Sequence, residues 1–317
     1  MKFQNLFLIN TLILLSIIVS CSNDDSDIPV QEPEENTPVV VNPDTPDPEF
    51  TIKTGERKIT SQNIEREYIL RIPKSYKKDT KTPVVFALHG YTGTPLAIES
   101  QTRFTVIGEK ENFISVYPAG LRDTKGNRNW ILGRPNATNT INDEVFIDDI
   151  LTFLKSELSI DENRIYVTGF SNGGFMSYQL GLLRSNTFAA IAPNGGYSLK
   201  STDILKPERA LPIIHVHGLK DNIIPYTGEV NPNSPYLYVE PSVNLWVSLN
   251  EANTEPNIIQ DDSSVLIKEW KSGPNNNADV QLVQFKNGTH QWFNKNNTGG
   301  IDSSQLIWEF FEAHPKQ

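Results

Sequence analysis

Ser171 has the setting that most calls for chemistry. It sits in Gly169-Phe170-Ser171-Asn172-Gly173, a Gly-x-Ser-x-Gly spacing, and Gly174 follows. Glycine is costly inside regular structure, so three of them around one serine signal unusual dihedrals or close backbone approach. Arg164 to Thr168 read as a strand, and Gly174 onward reads as a helix. A serine on a strand-to-helix turn is held outward at a helix N-terminus, where free N–H groups favour negative charge. Ser171 is therefore a candidate nucleophile.

An alkyl hydroxyl needs a base at neutral pH. The chain has five histidines. His215 alternates into a buried strand and reads as a packed core histidine. His314, near the C-terminus, is expected to be exposed. His89 is expected to brace the loop after its strand. His290 lies in "FKNGTHQWF", in a glycine-containing loop past a late strand, and is the candidate base. Its imidazole needs a carboxylate to fix the tautomer. Asp221 in "HVHGLKDNIIPY" follows a buried strand directly and is the candidate acid, with Asp203 and Asp261 in reserve. The order serine, acid, histidine is one of those in which such triads occur. A tetrahedral intermediate also needs N–H donors. The amides of Asn172 and Tyr91 are the candidates. Trp130 and Trp292 are candidate substrate-binding residues. Asp143, Asp148 and Asp149 are expected to cap and solvate a helix rather than bind metal, so no metal site is expected.

These residues need a scaffold that brings strand ends together. "TPVVFALHG" (82–90), "FISVYPAG" (113–120), "RIYVTGF" (164–170), "AAIAPNGG" (189–196) and "LPIIHVHG" (211–218) are apolar runs that end in or near glycine. Such runs suit strands buried on both faces. "REYILRIP" (66–73) alternates, and 265–270 and 279–285 read as late strands. Helical patterns cover 96–111, 144–158, 173–184, 242–252 and 303–314. The alternation predicts an α/β fold with a mostly parallel central sheet and helices on both faces. Sites in such sheets lie at the carboxyl ends of the strands.

The first 50 residues are different in kind. Residues 1–21 read as a signal peptide, with Lys2, an apolar stretch, and "IVSC" ending at Cys21, a lipobox-like site for lipidation. Residues 22–50 read as a disordered tether: they hold six prolines and nine acidic residues with no Lys or Arg. The whole chain carries −10, from 38 acidic and 28 basic residues. Setting aside the nine tether acids and Lys2 leaves 29 against 27 in the rest. The acidity belongs to the tether, and a nearly neutral domain over 51–317 argues against a nucleic-acid partner. Cys21 is the only cysteine, which excludes an internal disulfide and a Cys-His zinc cluster. The expected location is extracytoplasmic, with the chain held to a membrane by its lipid.

Seven stretches together resemble one family: "VVFALHGYTG", "FISVYPAG", "DEVFIDDIL", "DENRIYVTGFSNGGFMSYQLG", "FAAIAPNGG", "HVHGLKDNIIPY" and "GTHQW". They are similar to the polyhydroxybutyrate-depolymerase/feruloyl-esterase family of α/β-hydrolases, which includes LpqC-type secreted esterases and carbohydrate esterase family 1. The resemblance spans most of 66–315. It implies the α/β-hydrolase fold, no cofactor, and hydrolysis of carboxylic esters. By position it implies Ser171 as nucleophile, Asp221 as acid, His290 as base, and Tyr91 and Asn172 as oxyanion donors. The substrate it implies is a hydroxycinnamoyl ester of plant polysaccharide; an acetylated xylan or a polyhydroxybutyrate is the alternative. A non-catalytic glycan-binding lipoprotein is a distant one. Two departures stand out: this chain lacks the cysteines many relatives have near the site, and Phe293 replaces a proline frequent after the tryptophan.

Overall fold

The computed structural model describes residues 53–132, 141–200, 206–228, 234–273, 277–298 and 300–317. The expected signal peptide, tether, Cys21 and the reserve Asp203 lie outside them. The chain divides into two units, Met1–Pro48 and Glu49–Gln317, and every described residue belongs to the second.

The chain opens with β1 (Gly55–Ser61), β2 (Ile64–Arg71) and β3 (Thr82–Leu88), then α1 (Pro95–Thr102) and α2 (Phe104–Glu111). Next come β4 (Ile114–Pro118), the short pair β5 (Leu121–Arg122) and β6 (Arg128–Asn129), and α3 (Asp143–Glu157). β7 (Ile160–Phe170) leads into α4 (Asn172–Leu183), followed by β8 (Ala190–Asn194), β9 (Ile213–Gly218) and α5 (Val239–Leu249). β10 (Asn257–Asp261), β11 (Val265–Trp270), β12 (Val280–Phe285), α6 (Lys295–Thr298) and α7 (Ser303–Ala313) complete the described elements.

One ten-stranded sheet runs β1-β2-β4-β3-β7-β8-β9-β12-β11-β10. The inner strands from β4 to β12 pair in parallel. Antiparallel pairs finish both edges. The continuous apolar runs split by parity, because successive side chains in a strand point to opposite faces. Val84, Phe86 and Leu88 of β3 join one apolar layer, with residues of α3, α4 and α5. Val85 and Ala87 join the other, with residues of α1, α2 and α7. Both faces are thus covered, as the uninterrupted apolar runs require.

The structure differs from the sequence expectation at several points. The helix expected over 96–111 is two helices. Arg103 between them takes the left-handed conformation, φ 54°, and Phe104 turns fully into the core. The edge strands β1 and β10 carry no apolar stripe to announce them; β10 leaves Ile258 and Ile259 exposed. His314 is buried, not exposed. Its Nδ1 lies 2.7 Å from Phe310 O and its Nε2 3.2 Å from Asp279 Oδ2.

Asp143 is the largest departure. It is not a solvated cap. It is fully buried and paired with the equally buried Arg66 at 2.7 Å. Burial pushes the carboxyl up and the guanidinium down, against the attraction between them. Arg66 also donates to Ala119 O, stacks over the Phe146 ring at 3.9 Å, and Asp143 Oδ2 accepts from Ile131 N. The pair ties β2, the end of β4, and the segment after β6 to the start of α3. Asp148 sits in an ion pair with Arg184 at 2.7 Å.

Removing one partner of a buried pair strands the other charge. Asp143→Ala is expected to cost about 3–5 kcal/mol in urea unfolding. The double change Arg66→Met with Asp143→Leu is expected to restore most of that stability. A single variant as stable as the parent contradicts the pairing.

Candidate active site

Ser171 sits between β7 and α4 with φ 54° and ψ −118°. A non-glycine residue with positive φ on such a turn stores on the order of 1–3 kcal/mol, which the surroundings must hold in place. The surroundings are tight. A Cβ on Gly169 would overlap the Gly173 carbonyl oxygen, and one on Gly173 would overlap that of Leu88. On Gly174 it would come within 2.6 Å of Asn194 O. The glycines are there because β3, β7, β8 and α4 converge at this turn. Ser171 N donates to Asn194 O at 2.9 Å and Phe175 N donates to Ser171 O at 3.0 Å, so the backbone is fastened on both sides.

Asp221 and His290 meet. His290 Nδ1 lies 2.7 Å from Asp221 Oδ2, and an ionised carboxylate makes that nitrogen the donor. Asp221 Oδ1 accepts from Ile223 N and Ile224 N at 2.9 and 2.8 Å. Burial opposes the charged form of Asp221, but the bond to His290 and the two amides outweigh it and hold its pKa below the ordinary value. This leaves His290 Nε2 as the open nitrogen. The imidazole packs on the ring of Phe170, 4.7 Å between centroids, so it lies beside the residue immediately before Ser171. No hydrogen bond joins Ser171 Oγ to the imidazole among the described residues; such contacts often close only around substrate.

The two candidate oxyanion amides belong to the residue after Ser171 and to the loop after β3. Asn172 opens α4, so its N–H has no intrahelical acceptor. Tyr91 follows the loop after β3, where a Cβ on the adjacent Gly90 would stand 3.3 Å from Ser171 Cβ. Neither amide has an acceptor among the described residues. The Tyr91 hydroxyl donates to Asp123 at 2.8 Å, which anchors an otherwise exposed ring.

Trp130 and Trp292, expected at substrate subsites, are almost wholly buried at 2% and 4% exposure. The Trp130 indole N–H donates to His89 O, and its backbone N–H donates to Asn172 Oδ1. Trp292 Nε1 donates to Ser304 Oγ. Both are held inside the fold: Trp130 braces Asn172, and Trp292 packs edge-on against Phe104. His89 packs against the Trp130 ring, 5.0 Å between centroids. Its Nδ1–H donates to Gly90 O at 2.7 Å, and its Nε2 accepts from Gly120 N at 2.9 Å. Burial pushes its pKa down to about 4. It is a neutral brace for the loop after β3, not a base. Asp261, the reserve acid, pairs with Lys286 at 2.6 Å. Phe293 stacks on Phe285 at 4.1 Å, inside the core.

Two residues that the sequence reading gave no role beside the site complete it. Tyr178 and His217 stand with His215 in a buried row: Tyr178 OH lies 2.7 Å from His215 Nδ1, and His215 Nε2 lies 3.2 Å from His217 Nδ1. Burial lowers both histidine pKa values, that of His215 strongly. The alternation of β9 signals their burial, but no local pattern names a partner on α4.

Two expectations follow. Gly173→Ala must push the Leu88 carbonyl aside and is expected to lose about 1–3 kcal/mol in urea unfolding; an unchanged midpoint contradicts the close approach. His89, His215 and His217 are neutral in the fold, and the unfolded chain protonates each below about pH 6.5. Their contribution to stability is therefore complete above that pH and is lost as pH falls toward the lowered folded values. The melting temperature is expected to decline already between pH 6.5 and 5, above the carboxylate range. A flat melting temperature across that interval contradicts the neutral assignment.

The chain is similar to known proteins in sequence and in fold. A model of the phospholipase/carboxylesterase family matches residues 74–239. A probable feruloyl esterase C of Aspergillus oryzae is 30% identical over 186 residues, 57% of this chain and 62% of that protein. A bifunctional acetylxylan esterase/xylanase, XynS20E, of Neocallimastix patriciarum is 31% identical over 145 residues, 46% of this chain and 20% of that one. The chain thus spans less than two thirds of the length of these relatives. Among solved structures, an acetyl xylan esterase from Aspergillus awamori superposes with a TM-score of 0.60 at 14% identity, covering 82% of this chain and 99% of that one. A ferulic acid esterase superposes at 0.52, with 15% identity over 83% and 97%. At these identities the structures speak for the fold. The family model covers half of the sequence, and its span holds the turn at Ser171, both candidate oxyanion amides and Asp221; the chain belongs to the phospholipase/carboxylesterase family, on an α/β-hydrolase fold.

Proposed function

We propose that the protein is a serine esterase that hydrolyses carboxylic esters, with Ser171, His290 and Asp221 as its triad. The observation that carries this reading is the 2.7 Å bond from His290 to a buried carboxylate, beside a serine held at positive φ. His290 takes the Ser171 proton as Oγ attacks the ester carbonyl. The oxyanion forms against the amides of Asn172 and Tyr91. His290 returns the proton to the departing alcohol, and water then cleaves the acyl-enzyme by the same route. Asp221 accepts from His290 Nδ1–H throughout, orienting the neutral ring and stabilising the imidazolium.

The acyl group we favour is hydroxycinnamoyl, carried on plant polysaccharide. A cavity of about 300 Å³ is lined by Phe175, Tyr197, Tyr236 and Tyr238. Phe175 follows Ser171 by one helical turn and donates its N–H to Ser171 O, so one wall of the cavity stands on the nucleophile's own helix. The rings meet edge to face, with centroids 5.0 to 5.3 Å apart, and no charged side chain lines the space. Such a site suits a flat aromatic acid. The names of the feruloyl esterase relatives support this choice. Acetylated xylan is the second reading, supported by the acetylxylan esterase among the relatives. We further propose that the chain is exported, lipidated at Cys21 and tethered outside the cytoplasm, where polymeric substrates are met. Retention of radiolabelled palmitate by the wild type but not by Cys21→Ala tests the anchor; label on both contradicts it.

Ser171→Ala is expected to lower kcat on p-nitrophenyl acetate by about 10⁴-fold or more; near-parental turnover contradicts the triad. Chromatography of products from feruloylated arabinoxylan and acetylated xylan separates the two acyl groups. Ferulate release is expected to dominate, and acetate release without ferulate overturns the preference.

A further inference from the structure

The buried row on β9 is not used by the chemistry above. His215 and His217 both point into the layer shared with α4, and both are fully buried. A strand that needed only packing would place aliphatic residues there, since a buried imidazole costs free energy unless both nitrogens are satisfied. Here all four ring nitrogens have partners.

One carbonyl fixes every proton in the row. His217 Nε2 lies 2.8 Å from Ile224 O, which can only accept, so Nε2 carries hydrogen. The Nδ1 of the neutral ring is then a lone pair. It faces His215 Nε2 at 3.2 Å, so that nitrogen carries hydrogen too. His215 Nδ1 is left to accept from the Tyr178 hydroxyl at 2.7 Å. The donors all run one way, from α4 through β9 to the turn after it. A proton added to His217 Nδ1 would face the N–H of His215.

Both ends of this line touch the triad's supports. Tyr178 is on the helix that Ser171 opens. Ile224 is in the turn of Asp221, and its own N–H donates to Asp221 Oδ1. His217 Nε2 stands 3.6 Å from Asp221 Oδ2, the oxygen that His290 uses. The other rings facing His217 are Tyr197, parallel at 6.3 Å, and Tyr226, edge-on at 5.8 Å. Asp221 and His290 are its titratable neighbours.

We propose that His217, backed by His215 and Tyr178, is a positioning residue for the ester hydrolysis. Its Nε2–H on the Ile224 carbonyl fixes the turn that aims Asp221 at His290. The line joins the nucleophile's helix to the acid's turn through the interior. This inference rests on the esterase reading for its kinetic consequence.

The test compares His217→Phe, which keeps a ring but no N–H, with His217→Gln, which keeps an N–H able to reach Ile224 O. With p-nitrophenyl acetate, His217→Phe is expected to lower kcat about 10- to 100-fold with KM within about twofold, as for a small misplacement of a catalytic group. The downfield proton of the His290–Asp221 bond is expected to shift or vanish in the NMR spectrum. His217→Gln is expected to recover part of both. A folded His217→Phe variant with parental kcat and an unmoved resonance overturns the proposal. Should that variant not fold, ¹⁵N-histidine spectra of the wild type decide: Nε2–H tautomers at both 215 and 217 support it, and an Nδ1–H tautomer at 217 overturns it. Wild-type protein that turns over no ester refutes the esterase reading instead, and the tautomer spectrum still decides the positioning claim.

Discussion

The site depends on how closely three strands and one helix approach at residues 169–173. Two carbonyl oxygens, those of Leu88 and Gly173, occupy the places where side chains at 173 and 169 would begin. That contact holds α4 against the ends of β3 and β7, and Ser171 between them stands at φ 54°. The amides of Asn172 and Tyr91, without an acceptor among the described residues, belong to the same turn and to the loop packed on it. A looser turn would keep the same residues and lose their convergence, because positioning errors of about 1 Å cost two orders of magnitude in rate.

Polar groups placed inside the fold hold the rest of the site. Arg66 and Asp143 pin the segment that carries Trp130, Trp130 pins His89 and Asn172, and His89 pins the loop of Tyr91. On the other side, Tyr178, His215 and His217 reach the turn of Asp221. These are neutral or mutually cancelling groups, hydrogen-bonded except at Arg66 Nη1, and their low-dielectric surroundings make each bond directional and expensive to break. With its only cysteine at position 21, the described domain holds its loops by packing and hydrogen bonds.

Much of this was legible in the sequence, and the boundary of legibility has a physical origin. The turn at Ser171 is written locally, since close approach demands glycine at fixed offsets. Asp221 and His290 are signalled by their positions just past apolar strands, where parallel sheets put their sites. The parity of β9 foretells the burial of His215. Several of the misreadings involve partners distant in the chain. "DEVFIDDIL" looks like an acid-capped helix start, and only Arg66, 77 residues earlier, makes Asp143 a buried ion. His314 is near the end of the chain, yet Phe310 and Asp279 draw it inside. Trp130 reads as a loop tryptophan free to meet substrate, until the His89 carbonyl claims its N–H. Edge strands such as β10 escape notice because backbone pairing asks little of their side chains.

The central claim is that Ser171 is made nucleophilic by His290 and Asp221. Reaction with a fluorophosphonate, followed by intact mass and peptide mapping, tests it without any assumption about the natural substrate. One adduct per chain, on the peptide that contains Ser171, is the predicted result, with labelling slowed by orders of magnitude in His290→Ala. Labelling of another residue, or equal labelling rates in the parent and in His290→Ala, would contradict it.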